Sequence, residues 1–270
     1  MLEGTAAWIA VIAILAVILF AFLGIRRLLK KWAQEREAKR AEMLALVERG
    51  GGGAVDKEGV ALLVRAVQEG FEDVVDRALA QGAEVNRTGP DGATALHDAA
   101  FRGSAAVARR LLDAGARPDP ADASGCTPLW VAALNGHVLV VDLLLAQGAD
   151  INLKAAPCGG AWGAVFAPST TGVTPLMVAA MMGRSGVVER LLQEGAAPGI
   201  VSDEGLTAWN YAEQNLGRNM DAYVERNVAL KNVVLMLECA EKGLPFRPVV
   251  RRETGSEDQV NPDEGGDGDL

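Results

Sequence analysis

The sequence is poor in the residues that build metal sites, disulfide frameworks and nucleic-acid surfaces. It contains three cysteines and two histidines in 270 residues. These numbers exclude a disulfide-stabilised scaffold and a zinc site made of cysteine and histidine. The formal charge of −9 disfavours a general nucleic-acid binder, because phosphate contacts need a basic face. Aromatic residues make up only 5% of a chain that is 50% hydrophobic, so alanine, valine and leucine dominate, a composition typical of helices.

Charged residues are absent from the 20 residues between Ala6 and Ile25. A helix of this length extends for roughly 30 Å, the thickness of the hydrocarbon core of a bilayer. A secretory signal peptide is disfavoured, because the preceding residues carry Glu3 and no lysine or arginine, and because basic residues follow the run. The length of the run also disfavours a buried helix of a soluble core. The sequence therefore predicts a single-pass transmembrane anchor at residues 1–25.

A basic cluster follows the apolar run. Seven of the fifteen residues from Arg26 to Arg40 are lysine or arginine, whereas Glu3 is the only charged residue before the run. The positive-inside rule then places the rest of the protein in the cytoplasm. Four basic residues flank the membrane, and they either serve as a topology signal alone or also attract anionic headgroups: Arg26, Arg27, Lys30 and Lys31. Residues 26–49 are predicted to continue as a basic juxtamembrane helix, and residues 50–55 as a glycine-rich flexible linker.

A period of 33 residues dominates the middle of the chain. Segments that begin at Thr94, Thr127 and Thr174 read TALHDAA, TPLWVAA and TPLMVAA, and a looser copy begins at Thr207. Thr94 and Thr127 are 33 residues apart, as are Thr174 and Thr207. The spacing from Thr127 to Thr174 is 47 residues, which is one period plus an insertion of 14. A degenerate copy at residues 61–66 precedes Thr94 and indicates an N-terminal capping unit.

These repeats resemble ankyrin repeats, most fully from Gly125 to Asn152, where the threonine–proline opening, a Gly-His turn and a closing Gly-Ala-Asp-Ile-Asn all occur. The resemblance implies an all-α solenoid of helix–turn–helix units with β-hairpin-type finger loops, here about five units over residues 56–243. The histidine of the family's motif is kept only as His97. Its hydrogen bonds cannot be carried over to the positions where Trp130, Met177 and Asn210 replace it.

Two segments depart from the repeat pattern. The finger-loop insertion at residues 153–170 carries Trp162 and Phe166, and exposed aromatic residues on a loop favour contact with a partner, the bilayer or the protein's own repeats. Residues 220–242 are predicted to form a long terminal helix. Residues 251–270 are predicted to be an acidic disordered tail, since a calcium loop would need a different spacing of ligands.

The sequence shows no catalytic constellation. His97 and His137 occupy framework positions of the repeat, and Asn86 begins a glycosylation sequon but is also the closing asparagine of a repeat. The glycine-rich stretch at residues 159–163 lacks the lysine and hydroxyl residue of a phosphate-binding loop. We therefore predict that the protein is not an enzyme and binds no cofactor or metal ion.

The resemblance instead implies a membrane-tethered adaptor that binds a protein partner through the concave groove and the finger loops, with the bilayer as a second partner through residues 6–25. An alternative is a structural accessory subunit of a membrane complex, assembled through its transmembrane helix. The residues that the resemblance places in the groove, together with the two aromatic residues of the insertion, are Asp98, Phe101, Arg102, Val131, Leu134, Asn135, Val178, Met181, Met182, Trp162 and Phe166. Phe101, Leu134 and Met181 are equivalent and are expected to form an exposed apolar stripe.

Overall fold

The computed structural model describes residues 2–50, 61–155, 171–218 and 224–244, and for residues 2–24, 50, 215–218 and 224–231 it describes the backbone alone. Helices are the main regular structure of the described residues, which carry isolated β-bridges in place of strands. The helices are α1 Leu2–Gly50, α2 Leu62–Glu69, α3 Glu72–Ala80, α4 Ala95–Arg102, α5 Ala105–Asp113, α6 Pro128–Asn135, α7 Val138–Ala146, α8 Pro175–Met181, α9 Ser185–Gln193, α10 Ala208–Arg218 and α11 Val224–Lys242.

Helix α1 runs without a break through the predicted anchor and the predicted juxtamembrane helix. The second half of α1 is rich in alanine, leucine, lysine, glutamate and arginine, which are strong helix formers. Where the structure describes side chains as well as backbone, it contains no helix with an apolar stretch that could span a bilayer. Of the predicted anchor, the side chains of residues 1–24 lie outside the described residues, as do residues 51–55 of the predicted linker.

The ten helices after α1 form five consecutive pairs, from α2 with α3 to α10 with α11. In four pairs a glycine with positive φ separates the two helices: Gly70, Gly103, Gly136 and Gly183. A left-handed residue at or just after the end of the first helix allows the second to begin within two residues, and glycine adopts this conformation without a steric penalty. The pairs correspond to the helix–turn–helix units that the 33-residue period predicts.

The described residues divide into two compact units. The first contains residues 2–132 and 139–150, and the second contains residues 133–138, 151–155, 171–218 and 224–244. In the first unit α2 packs on α3 and α4, α5 packs on α3 and α4, and α1 packs on α2 and α3. In the second unit α8 packs on α9 and α10, and α11 packs on α8, α9 and α10. The last pair of helices thus covers the preceding pair. The predicted terminal helix at residues 220–242 is observed as α11, Val224–Lys242.

Each core is built from alanine, valine and leucine, which recur at the same place in successive units. The second helix of a unit carries two consecutive leucines, and the first of the two is fully buried: Leu111, Leu144 and Leu191. The second leucine is less deeply buried, since Leu112 is 8% exposed and Leu145 is half-buried. One residue of the pair therefore faces the core and its neighbour lies at the edge, as the 100° step of a helix requires.

Helix α1 is part of the first core. Met43 and Val47 are spaced by four residues on one face, and their side chains are 4% and 0% exposed. Ion pairs flank this apolar contact, with Arg40 at 2.9 Å from Asp73 and Arg77 at 3.2 Å from Glu48. Residues 36–48 therefore cover the side of the first repeat that no other repeat covers. The sequence alone predicts this segment only as a basic juxtamembrane helix.

Candidate partner-binding surface

The threonines before α4, α8 and α10 form hydrogen bonds with the residue three positions later, in the first turn of each helix. Thr94 N–H and the Thr94 hydroxyl lie 3.1 and 3.0 Å from His97 Nδ1. Because the backbone N–H can only donate, Nδ1 accepts, and His97 Nε2 donates to the Cys126 carbonyl oxygen at 3.0 Å in the next finger loop. His97 is fully buried, and burial lowers its pKa, so it is neutral and structural.

The replacements of this histidine differ in what they retain. Asn210 Oδ1 accepts from Thr207 N–H at 2.9 Å, which reproduces the local half of the histidine network. Met177 brings only a thioether sulfur, 3.4 Å from Thr174 N, and sulfur is a weak acceptor. That Asn210 keeps this contact is a finding of the structure, and it was not among the predictions from the sequence.

The finger loops of the first unit contact each other through backbone atoms. Thr88 and Thr94 pair across the first loop, and Ala123 N donates to the Asp91 carbonyl oxygen at 3.0 Å. Gly92 has a φ of 76°, and a Cβ atom at this position would lie 2.7 Å from Ala123 N. The two loops can therefore approach this closely only with glycine at residue 92.

In the second unit, Ala155 and Val173 pair at the base of a finger loop. Ala155 N donates to the Val173 carbonyl oxygen at 3.0 Å, and Gly172 N donates to the Ala155 carbonyl oxygen at 2.9 Å. The insertion is therefore bounded by two backbone segments that are hydrogen-bonded to each other at Ala155 and Val173. Trp162 and Phe166, the two candidate site residues of the insertion, lie outside the described residues.

Four predicted groove residues are buried. Three of them occupy the position that lies four residues after the capping threonine. They are Asp98, Val131 and Val178, which are 4%, 0% and 0% exposed. This position faces the neighbouring helices, so the expectation that these side chains line an open groove is wrong. Leu134 is 5% exposed, because nearly every residue of α6 is apolar and the helix is buried on most sides. The expected stripe is therefore interrupted at Leu134.

The remaining groove residues reach the surface. Phe101 is 45% exposed, and Arg102 beside it is also exposed. Asn135, Met181 and Met182 are half-buried. The groove residues that reach the surface thus lie seven or eight residues after the capping threonine, and Leu134 is the buried exception at the seventh position. Phe101 and Arg102 form a first patch on the first unit, and Asn135, Met181 and Met182 form a second patch on the second unit.

A polar network supports the first patch. Gln68 Nε2 donates to Asp98 Oδ2 at 3.2 Å, and Arg102 Nη1 donates to the Gln68 carbonyl oxygen at 2.8 Å. Burial raises the pKa of Asp98 to about 7, and the hydrogen bond from Gln68 opposes the shift. Asp98 therefore holds Gln68 and, through it, the first patch, and its charge changes near neutral pH.

A cleft of about 470 Å³ adjoins Arg102 where α1, α2 and α4 meet. Two of its cations already have partners, since Lys39 pairs with Glu69 and Arg36 Nη2 donates to the Glu69 carbonyl oxygen at 3.4 Å. Sequence reasoning missed this cleft. The signal for it was the four-residue spacing of Met43 and Val47, which predicts that α1 packs on a neighbour. The residues that line the cleft are Trp32, Glu35, Arg36, Lys39, Gln68, Glu69 and Arg102.

The described residues contain no group of three or more histidine, cysteine, aspartate or glutamate side chains that could hold a metal ion. The first and second patches can bind a partner through shape complementarity, apolar contacts and hydrogen bonds.

Residues 63–155 match the family model for ankyrin repeats (3 copies), and residues 171–203 match the model for a single ankyrin repeat. The prediction of ankyrin repeats is therefore confirmed over these ranges. No curated protein matches the chain.

Proposed function

Since residues 63–155 and 171–203 are ankyrin repeats, we propose that the chain is a non-enzymatic adaptor that binds a protein partner and holds it at a membrane. The observation that carries the proposal is the placement of Phe101 and Arg102. They lie at repeat positions seven and eight residues after the cap, and both are exposed on a rigid pair of helices. An exposed aromatic residue beside an arginine is a typical energetic centre of a protein interface.

The second patch contributes two adjacent methionines. Met181 and Met182 are half-buried at the end of α8, so part of each side chain reaches the surface. Methionine adapts its shape to different apolar partners, which suits a groove that receives a helix or an extended peptide. The insertion at residues 153–170, with Trp162 and Phe166, joins the paired Ala155 and Val173 in sequence and is proposed to contact the same partner.

The tether is proposed from the sequence. The uncharged run from Ala6 to Ile25 has the length of a membrane span, and the basic residues after it orient the repeats toward the cytoplasm. Anchoring raises the effective concentration of the adaptor for any partner at the same membrane, so weak binding by the repeats is sufficient.

Partner capture from detergent-solubilised membranes tests the binding surface. The variant carrying Phe101→Ala, Met181→Ala and Met182→Ala is expected to bind its partners roughly 5- to 30-fold more weakly, the loss typical of interface side chains worth about 1–2 kcal/mol. The matched control carries Leu139→Ala and Val201→Ala, which truncate apolar side chains that are 69% and 45% exposed elsewhere. If the first variant keeps its helical content and also every partner of the native chain, the patches are not the binding surface.

Protease protection tests the tether. Protease added outside intact cells is expected to leave the repeats whole, and a reporter fused after Leu270 is expected to be active in the cytoplasm. Digestion of the repeats in intact cells, or release of the protein from membranes by alkaline carbonate, would contradict the proposed topology or the proposed span, respectively.

A further inference from the structure

We propose that residues 25–32 of α1 form a binding site for anionic lipid headgroups. The proposal rests on the membrane tether proposed above and names the class of lipid that the tether recognises. Two sets of side chains make the site. The apolar stripe consists of Ile25, Leu28, Leu29 and Trp32, and the basic band consists of Arg26, Arg27, Lys30 and Lys31.

The two sets lie on opposite faces of the helix. The apolar stripe has the spacing i, i+3, i+4, i+7, which places its members on one face, and the basic band occupies the positions between them. The side chains of the stripe are exposed by 56%, 68%, 60% and 61% in chain order. Four large apolar side chains in a row are unfavourable in water and favourable at the boundary between headgroups and acyl chains, where tryptophan is also preferred.

The structure separates the basic residues of α1 into two groups. Lys39 and Arg40 form ion pairs with Glu69 and Asp73 of the first repeat, so their charge is neutralised within the protein. The Arg36 guanidinium lies 5.3 Å from the centroid of the Phe71 ring, and 5.8 Å from that of Trp32, the last residue of the stripe, which is still 61% exposed. These three residues attach α1 to the repeats and are not available to a lipid.

The basic band has no such attachment. Lys31 lies 3.7 Å from Glu35, and both side chains are largely exposed, so this ion pair is weak. Among the residues that the structure describes, Arg26, Arg27 and Lys30 form no ion pair. The band therefore keeps its positive charge, which complements the phosphate and carboxylate groups of anionic lipids.

The position of the site on α1 matches the headgroup layer. Residues 25–32 rise by about 10 Å along the helix, and the headgroup layer on each side of a bilayer is about 5–8 Å thick. Lysine and arginine side chains are long enough to cover the difference. A membrane surface is the occupant that covers the stripe and neutralises the band at once, directly beside the uncharged run that ends at Ile25.

The test uses the full chain reconstituted in phosphatidylcholine vesicles that contain spin-labelled phosphatidylserine or spin-labelled phosphatidylcholine. Electron paramagnetic resonance then gives the ratio of their association with the protein. We expect a preference for phosphatidylserine of about fivefold, the factor that one basic residue contributes near an anionic surface. The variant carrying Arg26→Gln, Arg27→Gln, Lys30→Gln and Lys31→Gln should lower the ratio to about one, and 0.5 M salt should lower it in the native chain.

The matched control removes the same number of positive charges at exposed sites away from the band: Arg49→Gln, Arg109→Gln, Arg117→Gln and Lys154→Gln. It is expected to keep the native ratio. A ratio of one in the native chain, or an unchanged ratio in the band variant, overturns the proposal. Loss of the preference in the control overturns it as well, because net charge would then be the cause.

Alkaline extraction of the same vesicles separates this proposal from the tether. A chain that resists extraction but shows a ratio of one has a membrane span without a headgroup site. A chain that is extracted yet floats with phosphatidylserine vesicles and not with phosphatidylcholine vesicles has the headgroup site without the span. Where the native chain prefers phosphatidylserine, the double variant Leu28→Gln, Leu29→Gln should lower that preference, and an unchanged preference overturns the role of the stripe.

Discussion

His97 and Asp98 are neighbours in sequence, and burial shifts the pKa of each away from its ordinary value. Burial favours the neutral form, so the pKa of the His97 imidazole falls and that of the Asp98 carboxyl rises to about 7. His97 therefore stabilises the fold above about pH 6.5, and this contribution is lost as the pH falls. The contribution of Asp98 to stability is lost as the pH rises. The reason is that the folded state holds a proton that the unfolded chain releases above about pH 4.

The Asp98→Asn variant is expected to remove this pH dependence. The contribution of Asp98 to the free energy of unfolding should fall by up to about 4 kcal/mol between about pH 4 and pH 7, the amount that corresponds to a pKa raised from about 4 to about 7. Asparagine keeps the acceptor for Gln68 and carries no proton to lose. Thermal unfolding in detergent at several pH values measures the difference between variant and native chain, with Asp113→Asn, on an exposed residue, as control. A difference that does not change with pH would refute the assignment.

Leu144→Ala is expected to destabilise the protein by roughly 2–5 kcal/mol. The side chain of Leu144 is fully buried in α7, and its truncation leaves a cavity that the packed helices cannot close. Leu139→Ala in the same helix is the control, because that side chain is 69% exposed and should change stability by less than about 0.5 kcal/mol. Denaturant unfolding followed by circular dichroism measures both. Equal losses would mean that the register of α7 differs from the one described.

At the scale of the helix, α1 has a part that packs and a part that does not. Residues 36–48 contact the first repeat through Met43, Val47 and ion pairs, whereas residues 25–31 are exposed on both faces and Trp32, at the edge of the cleft, is 61% exposed. A repeat unit can bury its apolar face only against a neighbour, so the first unit needs a cap. Helix α1 supplies that cap.

Met43→Ala tests whether α1 is needed for the stability of the first repeat. The side chain is 4% exposed, and its truncation should cost about 2–5 kcal/mol if the cap is part of the cooperative core. Leu28→Ala in the same helix, on a side chain that is 68% exposed, should leave unfolding unchanged. Amide hydrogen exchange in α2 and α3 is the measurement, because faster exchange should be confined to the repeat that α1 covers. Unchanged exchange in both variants would show that α1 is dispensable for the fold.

The repeats could be predicted from the sequence because each unit carries its own local signals. A capping threonine, paired alanines and a turn glycine recur at one period, and each has a physical role within about ten residues. The spacing of Met43 and Val47 indicates that α1 packs on a neighbour, but which helices it contacts could not be predicted, since that depends on contacts such as Arg40 with Asp73, which are 33 residues apart and outside the repeat pattern. Nor could the groove residues be sorted, because the burial of Leu134 depends on how apolar its whole helix is.

At the scale of the whole molecule, the proposed adaptor combines three parts with separate tasks. In this proposal the repeats supply the partner surface, residues 36–48 attach α1 to the first repeat, and the uncharged run together with residues 25–32 supplies the membrane contact. A tether of this kind acts by raising effective concentration and does not depend on the sequence of the span, provided its length and apolar character are kept.

Replacement of residues 6–24 by an unrelated uncharged apolar segment of the same length is therefore expected to preserve partner capture from solubilised membranes. The exposed surface of the repeats and the attachment of α1 through Met43, Val47 and Arg40 are unchanged in this variant. Quantitative mass spectrometry of the captured proteins compares the replacement with the native chain and with the variant carrying Phe101→Ala, Met181→Ala and Met182→Ala. If the replacement loses the partners while the repeat variant keeps them, the membrane helix makes the specific contacts, and the chain is an accessory subunit of a membrane complex, because only interhelical packing in the bilayer distinguishes one apolar segment from another.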